Sequence, residues 1–382
     1  MKILFVLGSG VSFGACPDTK SITDEVLNGT SEPPHLWRSS RLDAKKEKTC
    51  VQEFLKLLQA EVLRLKNSCT YEDLYSISLR LYNHESGCEL SPEIVRFRDF
   101  IYRDSFQYHQ FYLGNAYHGD RPLAAISLRA CYFITETVRL MLLKRRENTV
   151  NLSLITDAIA HLGPANVDVI TLNHDLLLEQ ELDGAGITWT DGFENEKLKQ
   201  ENMVSFSSDN FRDENRVRIL KIHGSVNWYY ARSNETAWKC WKIPKPETAV
   251  IEDRICIDYE EGQILTGSTT KGLAYTKGTF GALHLEACRL LRESPIIVCS
   301  GYGWKDLPFN EMIRDWSKYH QEPGMWLLHD KHSIDEFDGN RKPFFWPDDW
   351  KSGESNSWLK WHPDFLGNTR WKDLAPKIWP TD

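Results

Sequence analysis

The chain opens with an apolar run that ends abruptly in glycines. The residues Ile3–Leu7 have the length and branching of a strand that is buried on both faces of a parallel sheet. Gly8 and Gly10 follow at once, and glycines there let the chain turn tightly and bring backbone N–H groups close to a phosphate. With Gly14, their spacing is one residue longer than the usual dinucleotide fingerprint. A plain turn from strand to helix would use the same glycines, so the motif gains weight only from later stretches of the same design.

Three later apolar runs also end in polar or glycine-rich clusters. These runs are Val167–Leu172, Val217–Ile222 and Pro295–Cys299. The clusters that end the four runs are Gly8-Ser9-Gly10, Asn173-His174-Asp175, His223-Gly224-Ser225 and Ser300-Gly301-Tyr302-Gly303. Ligands of open parallel sheets bind at the carboxyl ends of the strands, so four such clusters predict one shared crevice. The pattern therefore predicts an α/β fold with a Rossmann-like parallel sheet.

Residues 40–162 carry helical patterns and no run typical of a strand. Apolar residues share one helical face between residues 45 and 66, and Thr70 with Asp73 forms a capping-box-like helix start. We therefore expect an α/β domain over residues 1–330 with a helical insertion over residues 40–162. Residues 331–382 hold six of the 14 tryptophans without clear periodicity, and they are predicted to be a C-terminal extension.

Charge and cysteine usage narrow the function classes. The net charge of −8 argues against a surface that coats nucleic acid, and no apolar run approaches the roughly 18–20 residues of a membrane span. Without signal-peptide organisation, the expectation is a cytoplasmic protein. The nine cysteines include no Cys-x-x-Cys pair, so we expect no zinc ribbon and no bound metal.

The order of these motifs resembles the sirtuin-like domains of bacterial defence proteins and, more distantly, the NAD-dependent protein deacylases. The resemblance covers roughly residues 1–330, and the helical stretch Tyr71–Leu74 fits the bacterial branch. Ser9 stands where the family more commonly has alanine. The motifs that carry the resemblance are Gly8-Ser9-Gly10-Val11-Ser12, Thr171-Leu172-Asn173-His174-Asp175, His223-Gly224 and Ser300-Gly301-Tyr302 with Asp306.

The resemblance implies that NAD is a substrate. Deacylases of the family carry a zinc ribbon of two cysteine pairs, and this sequence has none, which favours simple cleavage of NAD to nicotinamide and ADP-ribose. The zinc-free branch is known for NAD depletion as an antiphage response. For a chain of this length the resemblance implies a homo-oligomer that partners a HerA-like hexameric ATPase, with nucleic acid contacted only indirectly and no membrane.

The resemblance also implies roles for single residues. His223 is the expected catalytic base, because histidine titrates near neutral pH, although a lone histidine is more often structural. Asn173 is expected to hold the nicotinamide ribose and the attacking water, and Asp175 to support the site or to contact nicotinamide. Asp306 could contact the ligand, or it could only cap the next helix. The remaining expected NAD-binding residues are Gly8, Ser9, Gly10 and Ser12 around the pyrophosphate, Thr171 beside Asn173, and Ser300, Gly301 and Gly303 near the adenosine ribose.

Three other functions stay open from the sequence. The first is a catalytically silent scaffold that binds NAD or ADP-ribose, although a pure sensor would not need both Asn173 and His223. The second is a nuclease-type subunit that works with an ATPase, although no convincing cluster of acidic metal ligands stands out. The third is a deacylase, which the missing zinc cysteines disfavour.

Overall fold

The computed structural model divides the chain into two compact units. The sheet unit comprises Met1–Cys16, Arg146–Ile257 and Lys271–Asp382, and the helical unit comprises Pro17–Arg145 and Asp258–Thr270. The structure describes residues 2–30, 44–104, 121–144, 150–198, 203–213, 215–232, 238–243, 256–257, 264–267, 271–329 and 358–379.

A seven-stranded parallel sheet organises the sheet unit. Its strands run in the order β12-β11-β10-β1-β2-β6-β3, and every neighbouring pair is parallel. The strands are β1 (Ile3–Leu7), β2 (Val167–Thr171), β3 (Trp189–Thr190), β6 (Val217–Lys221), β10 (Ile296–Ser300), β11 (Gly324–Leu328) and β12 (Leu359–His362). The predicted Rossmann-like α/β architecture is confirmed.

The four strands whose ends were predicted to meet are neighbours in this sheet. In register, Leu7 of β1 pairs with Ser300 of β10 on one side and with Thr171 of β2 on the other. Thr171 pairs in turn with Lys221 of β6. The four following turns therefore leave the sheet at the same level of the same edge.

A smaller antiparallel sheet follows the strand order β4-β5-β8-β7-β9. Its core contains Met203, Tyr229, Ala231, Trp241 and Ile243. The strands are β4 (Phe193–Leu198), β5 (Met203–Phe206), β7 (Trp228–Arg232), β8 (Lys239–Lys242) and β9 (Cys256–Ile257). β7 lies between β8 and β9 and pairs with both in the antiparallel sense.

Helices of the sheet unit cover the parallel sheet. Apolar side chains of α6, α7 and α11 form one cluster with alternate residues of β1, such as Ile3, Phe5 and Leu7. The helices are α6 (Ser153–Leu162), α7 (Leu177–Gly184), α8 (Lys271–Ala274), α9 (Gly278–Glu293), α10 (Leu307–Tyr319) and α11 (Trp371–Ile378). Within the predicted extension 331–382, the described residues thus complete the parallel sheet and its core.

The helical unit has its own core, which includes Phe54, Leu55 and Leu58. Thr70 begins α3 with the predicted capping box, in which its backbone N–H donates to Asp73 Oδ2 at 2.8 Å. The helices are α1 (Thr19–Asn28), α2 (Ala44–Leu65), α3 (Tyr71–Glu85), α4 (Pro92–Asp104) and α5 (Pro122–Leu143). The unit starts before residue 40 because α1 packs with this core, and it ends before α6. In the described part of the chain, no helix is long and apolar enough to cross a membrane.

Candidate active site

The turns after β1 and β10 are joined by backbone hydrogen bonds. The N–H of Gly8 donates to the carbonyl oxygen of Ser300 at 3.0 Å, and the N–H of Gly10 donates to that of Gly301 at 2.9 Å. The two backbones approach so closely that side chains would not fit between them. A Cβ atom on Gly8 would lie 2.4 Å from the oxygen of Gly301, and one on Gly10 would lie 2.8 Å from the Cα of Gly301. This crossing of backbones accounts for glycine at both positions.

Gly301 is the most constrained residue of the crossing. Its φ of +65° lies in the left-handed region, and a Cβ atom there would lie 2.4 Å from the backbone nitrogen of Val11. Gly303 differs, because it has an ordinary φ and a Cβ atom would meet nothing within 4 Å. The crossing therefore requires glycine at position 301 but not at position 303.

We expect Gly301→Ala to lower the free energy of unfolding by about 1–3 kcal/mol, because the added methyl group overpacks two backbones that cannot separate without breaking hydrogen bonds. Urea denaturation followed by circular dichroism measures the loss. The matched control is Gly303→Ala, for which we expect a change within about 0.5 kcal/mol. Equal stability of the two variants would contradict this account of the crossing.

Asn173 and Asp175, in the turn after β2, bind the glycine-rich turn through their side chains. The Asn173 amide nitrogen Nδ2 donates to the carbonyl oxygen of Gly8 at 3.0 Å and to Ser12 Oγ at 3.1 Å. Ser12 Oγ in turn donates to Asp175 Oδ2 at 2.7 Å. The backbone N–H of Asn173 donates to Thr171 Oγ1 at 3.1 Å. These bonds fix which edge of the Asn173 amide carries the oxygen.

The amide oxygen of Asn173 is a buried acceptor without a hydrogen-bond donor among the described residues. Asn173 is one of the residues that line a cavity of about 10 Å³ at the edge of the sheet. A cavity of this size holds about one water molecule. Ser12, Thr171, Asp175 and Lys221 are the other polar residues of its lining. A buried acceptor of this kind costs free energy unless a donor from a ligand or water reaches it.

Both carboxylate oxygens and the backbone oxygen of Asp175 accept hydrogen bonds, as expected for a residue that supports the site. Its Oδ1 accepts the backbone N–H of Leu177 at 3.1 Å where α7 begins. The buried ammonium group of Lys221 donates to the backbone oxygen of Asp175 and pairs with Glu179 at 2.8 Å. Burial raises the pKa of the Glu179 carboxyl, and the charge of Lys221 opposes that rise.

His223, in the turn after β6, lies in a buried cluster with Tyr275 and Asp306. Its Nε2 is 2.5 Å from Asp306 Oδ2 and 2.8 Å from the hydroxyl of Tyr275. The Tyr275 hydroxyl donates to the same Asp306 oxygen at 2.9 Å. Burial and the nearby Asp306 charge raise the pKa of Tyr275 far above its usual value, so this phenol stays neutral. The imidazole therefore has a carboxylate partner of the kind that orients a catalytic histidine.

The turns after β2 and β6 are also joined to each other. The N–H of Val226 donates to the carbonyl oxygen of His174 at 3.0 Å, and His174 Nδ1 lies 3.3 Å from the carbonyl oxygen of Gly224. The rings of His174 and His223 have centroids 6.2 Å apart. Hydrogen bonds thus link all four turns, from Ser300 through Gly8, Asn173 and His174 to Val226.

The structure brings most of the expected site residues together but differs in detail. Ser12, Thr171, Asn173, Asp175 and the first glycines form one network, whereas Ser9 and Gly303 are exposed beside it. The hydroxyl of Ser300 faces Leu328 of β11, with its oxygen 3.5 Å from that backbone carbonyl. Asp306 caps α10, as the sequence allows, and it also contacts His223. Neither Tyr275 nor Lys221 was expected, because their contacts join residues 31 and 46 positions apart.

Among the described residues, the structure contains no group of three or more histidine, cysteine, aspartate or glutamate residues that could hold a metal ion. Lys271, whose neighbours in the sequence lack the residue order of a phosphate-binding loop, is the first residue of the short helix α8.

Comparison with known protein families agrees with this geometry. A family model described as a SIR2-like domain matches residues 167–346 of the chain. The match supports a relation to Sir2-like proteins, which are often NAD-dependent enzymes, and it implies binding of NAD. It spans three of the four turns, while the glycine-rich turn after β1 lies outside it. No curated protein matches the chain.

Proposed function

We propose that the protein is an NAD+ hydrolase. In the proposed reaction the bond between the nicotinamide nitrogen and the ribose C1′ breaks, and neutral nicotinamide leaves with the bonding electron pair. A water oxygen bonds to C1′ and loses one proton, so the products are nicotinamide, ADP-ribose and a proton. The SIR2-like match supports NAD as the ligand, and the linked turns support a single reaction centre.

The observation that carries this proposal is the amide oxygen of Asn173. Nδ2 already donates to Gly8 and Ser12, so a flip of the amide by 180° would lose two hydrogen bonds. Its oxygen is left as a fixed, buried acceptor on a residue that lines the cavity. Such an acceptor suits a ribose hydroxyl or the attacking water, both of which are donors.

His223 supplies the base in this proposal. Water attacking C1′ must lose a proton, and an imidazole that pairs with a carboxylate accepts protons well near neutral pH. The Asp306 carboxylate also stabilises the imidazolium that forms when the proton arrives. The protein's further contribution is positioning, because cleavage itself needs the nicotinamide held out of plane and water controlled.

We further propose that the activity is held low until an assembly forms. Two features support this regulation. The N–H of Gly10, which the pyrophosphate would use, donates to Gly301 instead, and the exposed fraction of His223 is only 4%. Release of the turn after β10 would free that N–H for an anion at the start of the following helical turn. The proposed context is antiphage defence by a homo-oligomer with a HerA-like hexameric ATPase.

Product analysis tests the proposal. Purified protein is incubated with NAD, alone and with a co-expressed HerA-like ATPase, and nicotinamide and ADP-ribose are quantified by chromatography. We expect equal amounts of the two products, at least in the mixture. If NAD is bound but unchanged in both samples, the hydrolase proposal is wrong and the protein is a scaffold that binds NAD. Degradation of added nucleic acid with intact NAD would favour a nuclease-type subunit instead.

A further inference from the structure

We infer that Asp306 and Tyr275 are positioning residues that hold the proton of His223 on Nε2, so that Nδ1 is the nitrogen that accepts a proton in the reaction. The inference rests on the proposed hydrolase for its catalytic meaning. The geometry of the buried cluster carries it independently.

Counting donors and acceptors around Asp306 gives the tautomer. Oδ1 accepts the N–H of Phe309 at 3.0 Å, and Oδ2 accepts the hydroxyl of Tyr275 at 2.9 Å. Nε2 of His223 lies 2.5 Å from that same Oδ2. If Nε2 carried no proton, its lone pair would point at a carboxylate oxygen at hydrogen-bond distance, which is repulsive. With the proton on Nε2, the contact of Nε2 with Oδ2 has a donor and an acceptor, and so has the contact of the Tyr275 hydroxyl with Oδ2.

Asp306 is anchored independently of His223. It caps α10 through Phe309, and its backbone oxygen accepts the hydroxyl of Tyr302 at 3.2 Å. Tyr275 stacks on the ring of His284, with centroids 5.2 Å apart. Because both partners are held by other elements, they can impose a geometry on the imidazole and need not follow it. The exposed fraction of His223, Tyr275 and Asp306 is 4% each, so water competes weakly for these bonds.

The charged and titratable groups around His223 determine the expected pH dependence. Asp306 before α10, Tyr275 before α9 and His174 after β2 face its ring, and His284 of α9 lies behind Tyr275. Tyr275 stays neutral, and burial lowers the pKa of His284, which keeps it uncharged near neutral pH. Of these groups, Asp306 is the one that places a carboxylate against the ring of His223.

Asp306→Asn is the variant that separates positioning from capping. Asparagine is about as good a helix N-cap as aspartate. The variant should therefore keep the start of α10 and the stability of the protein. The carboxylate charge is lost, and the asparagine NH2 can donate to Nε2 and move the imidazole proton to Nδ1. We expect kcat for nicotinamide release to fall about 10- to 100-fold, as for partners that orient metal-bound histidines. The acid limb of the kcat/KM profile should move to lower pH, because the imidazolium loses its counter-charge.

The experiment combines this pH profile with ¹⁵N NMR of histidine-labelled protein, in which His223→Gln assigns the imidazole signals. Tyr275→Phe keeps the ring stack and should lower kcat less than Asp306→Asn does. The matched control is Asp18→Asn, the same substitution at the N-cap of α1, where the side chain accepts the N–H of Ser21 at 2.7 Å. It should leave both readouts unchanged.

The NMR readout separates this inference from the proposed function. A His223 proton on Nε2 in the wild type that moves in Asp306→Asn supports the inference, even if no NAD is cleaved. A proton on Nδ1 in the wild type would overturn it, whether or not Asp306→Asn folds. An Asp306→Asn enzyme with an unchanged tautomer and an unmoved pH profile would overturn it too. Failure of the wild type to release nicotinamide would count against the hydrolase alone.

Discussion

Replacing His223 with alanine is expected to lower kcat for nicotinamide release by about 10²–10⁴-fold, the usual contribution of a general base. Alanine removes the proton acceptor and leaves Asp306 and Tyr275 facing a void. KM for NAD should change much less, because the expected NAD-binding atoms lie on the turns after β1, β2 and β10. Initial rates over a range of NAD concentrations separate the two parameters.

The control for this prediction is His161→Ala. His161 is an exposed histidine of α6, and its ring contacts Trp371 with centroids 6.2 Å apart. The wild-type rate is expected for this control. If His223→Ala also keeps the wild-type kcat, then His223 is a structural histidine and the proposed mechanism is wrong.

Replacing Arg218 with methionine is expected to lower the free energy of unfolding by about 3–5 kcal/mol, the usual loss when one partner of a buried ion pair is removed. Arg218 of β6 lies beside Asp168 of β2 in the parallel sheet. Its Nε donates to Asp168 Oδ1 at 2.7 Å and its Nη2 donates to Oδ2 at 2.5 Å. Both side chains are at least 95% buried, so the variant leaves a carboxylate without its counter-charge.

The pH dependence of this loss follows from the Asp168 carboxyl. Burial raises its pKa in the folded protein, while the hydrogen bond and charge of Arg218 oppose the rise. Without Arg218 the folded-state pKa rises further above the unfolded value. Between these two pKa values the folded variant binds more protons than the unfolded chain. Its free energy of unfolding therefore falls as the pH rises from the unfolded-state pKa through the folded-state pKa of Asp168. The deficit relative to the wild type should therefore be smaller at acidic pH than at neutral pH.

Two further variants test the assignment to this pair. Arg289→Met removes an arginine that is 38% exposed and pairs with Glu286 and Glu293, and it should cost about 0–1 kcal/mol. The double variant with Asp168→Leu and Arg218→Met removes both buried charges and should recover much of the loss of Arg218→Met. Guanidinium denaturation at two pH values measures all of them. Equal losses for Arg218→Met and Arg289→Met would contradict the account.

The parallel sheet could be predicted because its central strands are buried on both faces. Runs such as Ile3–Leu7 and Val217–Ile222 are continuous and apolar, and the residues that end them are small or polar. β12 lacks that signal. In Leu359–His362 two apolar residues alternate with two polar ones, and the strand lies at the edge of the sheet. Tertiary pairing with β11 decides this strand, and local sequence does not.

The candidate site was predictable only as far as its residues follow strand ends. Asn173 and His223 occupy such positions, so topology brings their turns together. Tyr275 follows a short helix, and nothing in the local pattern indicates that its hydroxyl reaches Asp306 and His223. The role of the glycines in the crossing could not be predicted from local sequence either. Their spacing suggests a phosphate loop, but the close approach of Gly301 to Gly8 and Gly10 appears only once two distant turns are placed side by side.

The most direct measurement of the central claim is a double-mutant cycle on nicotinamide release from NAD, with wild type, Asn173→Ala, His223→Ala and the double variant under the conditions where the wild type is active. Residues that act as one unit give strongly non-additive losses. The account predicts that each single variant loses most of the activity and that the double variant is hardly slower than either. Single variants that retain the wild-type rate, or losses that simply multiply, would contradict a reaction centre shared by Asn173 and His223.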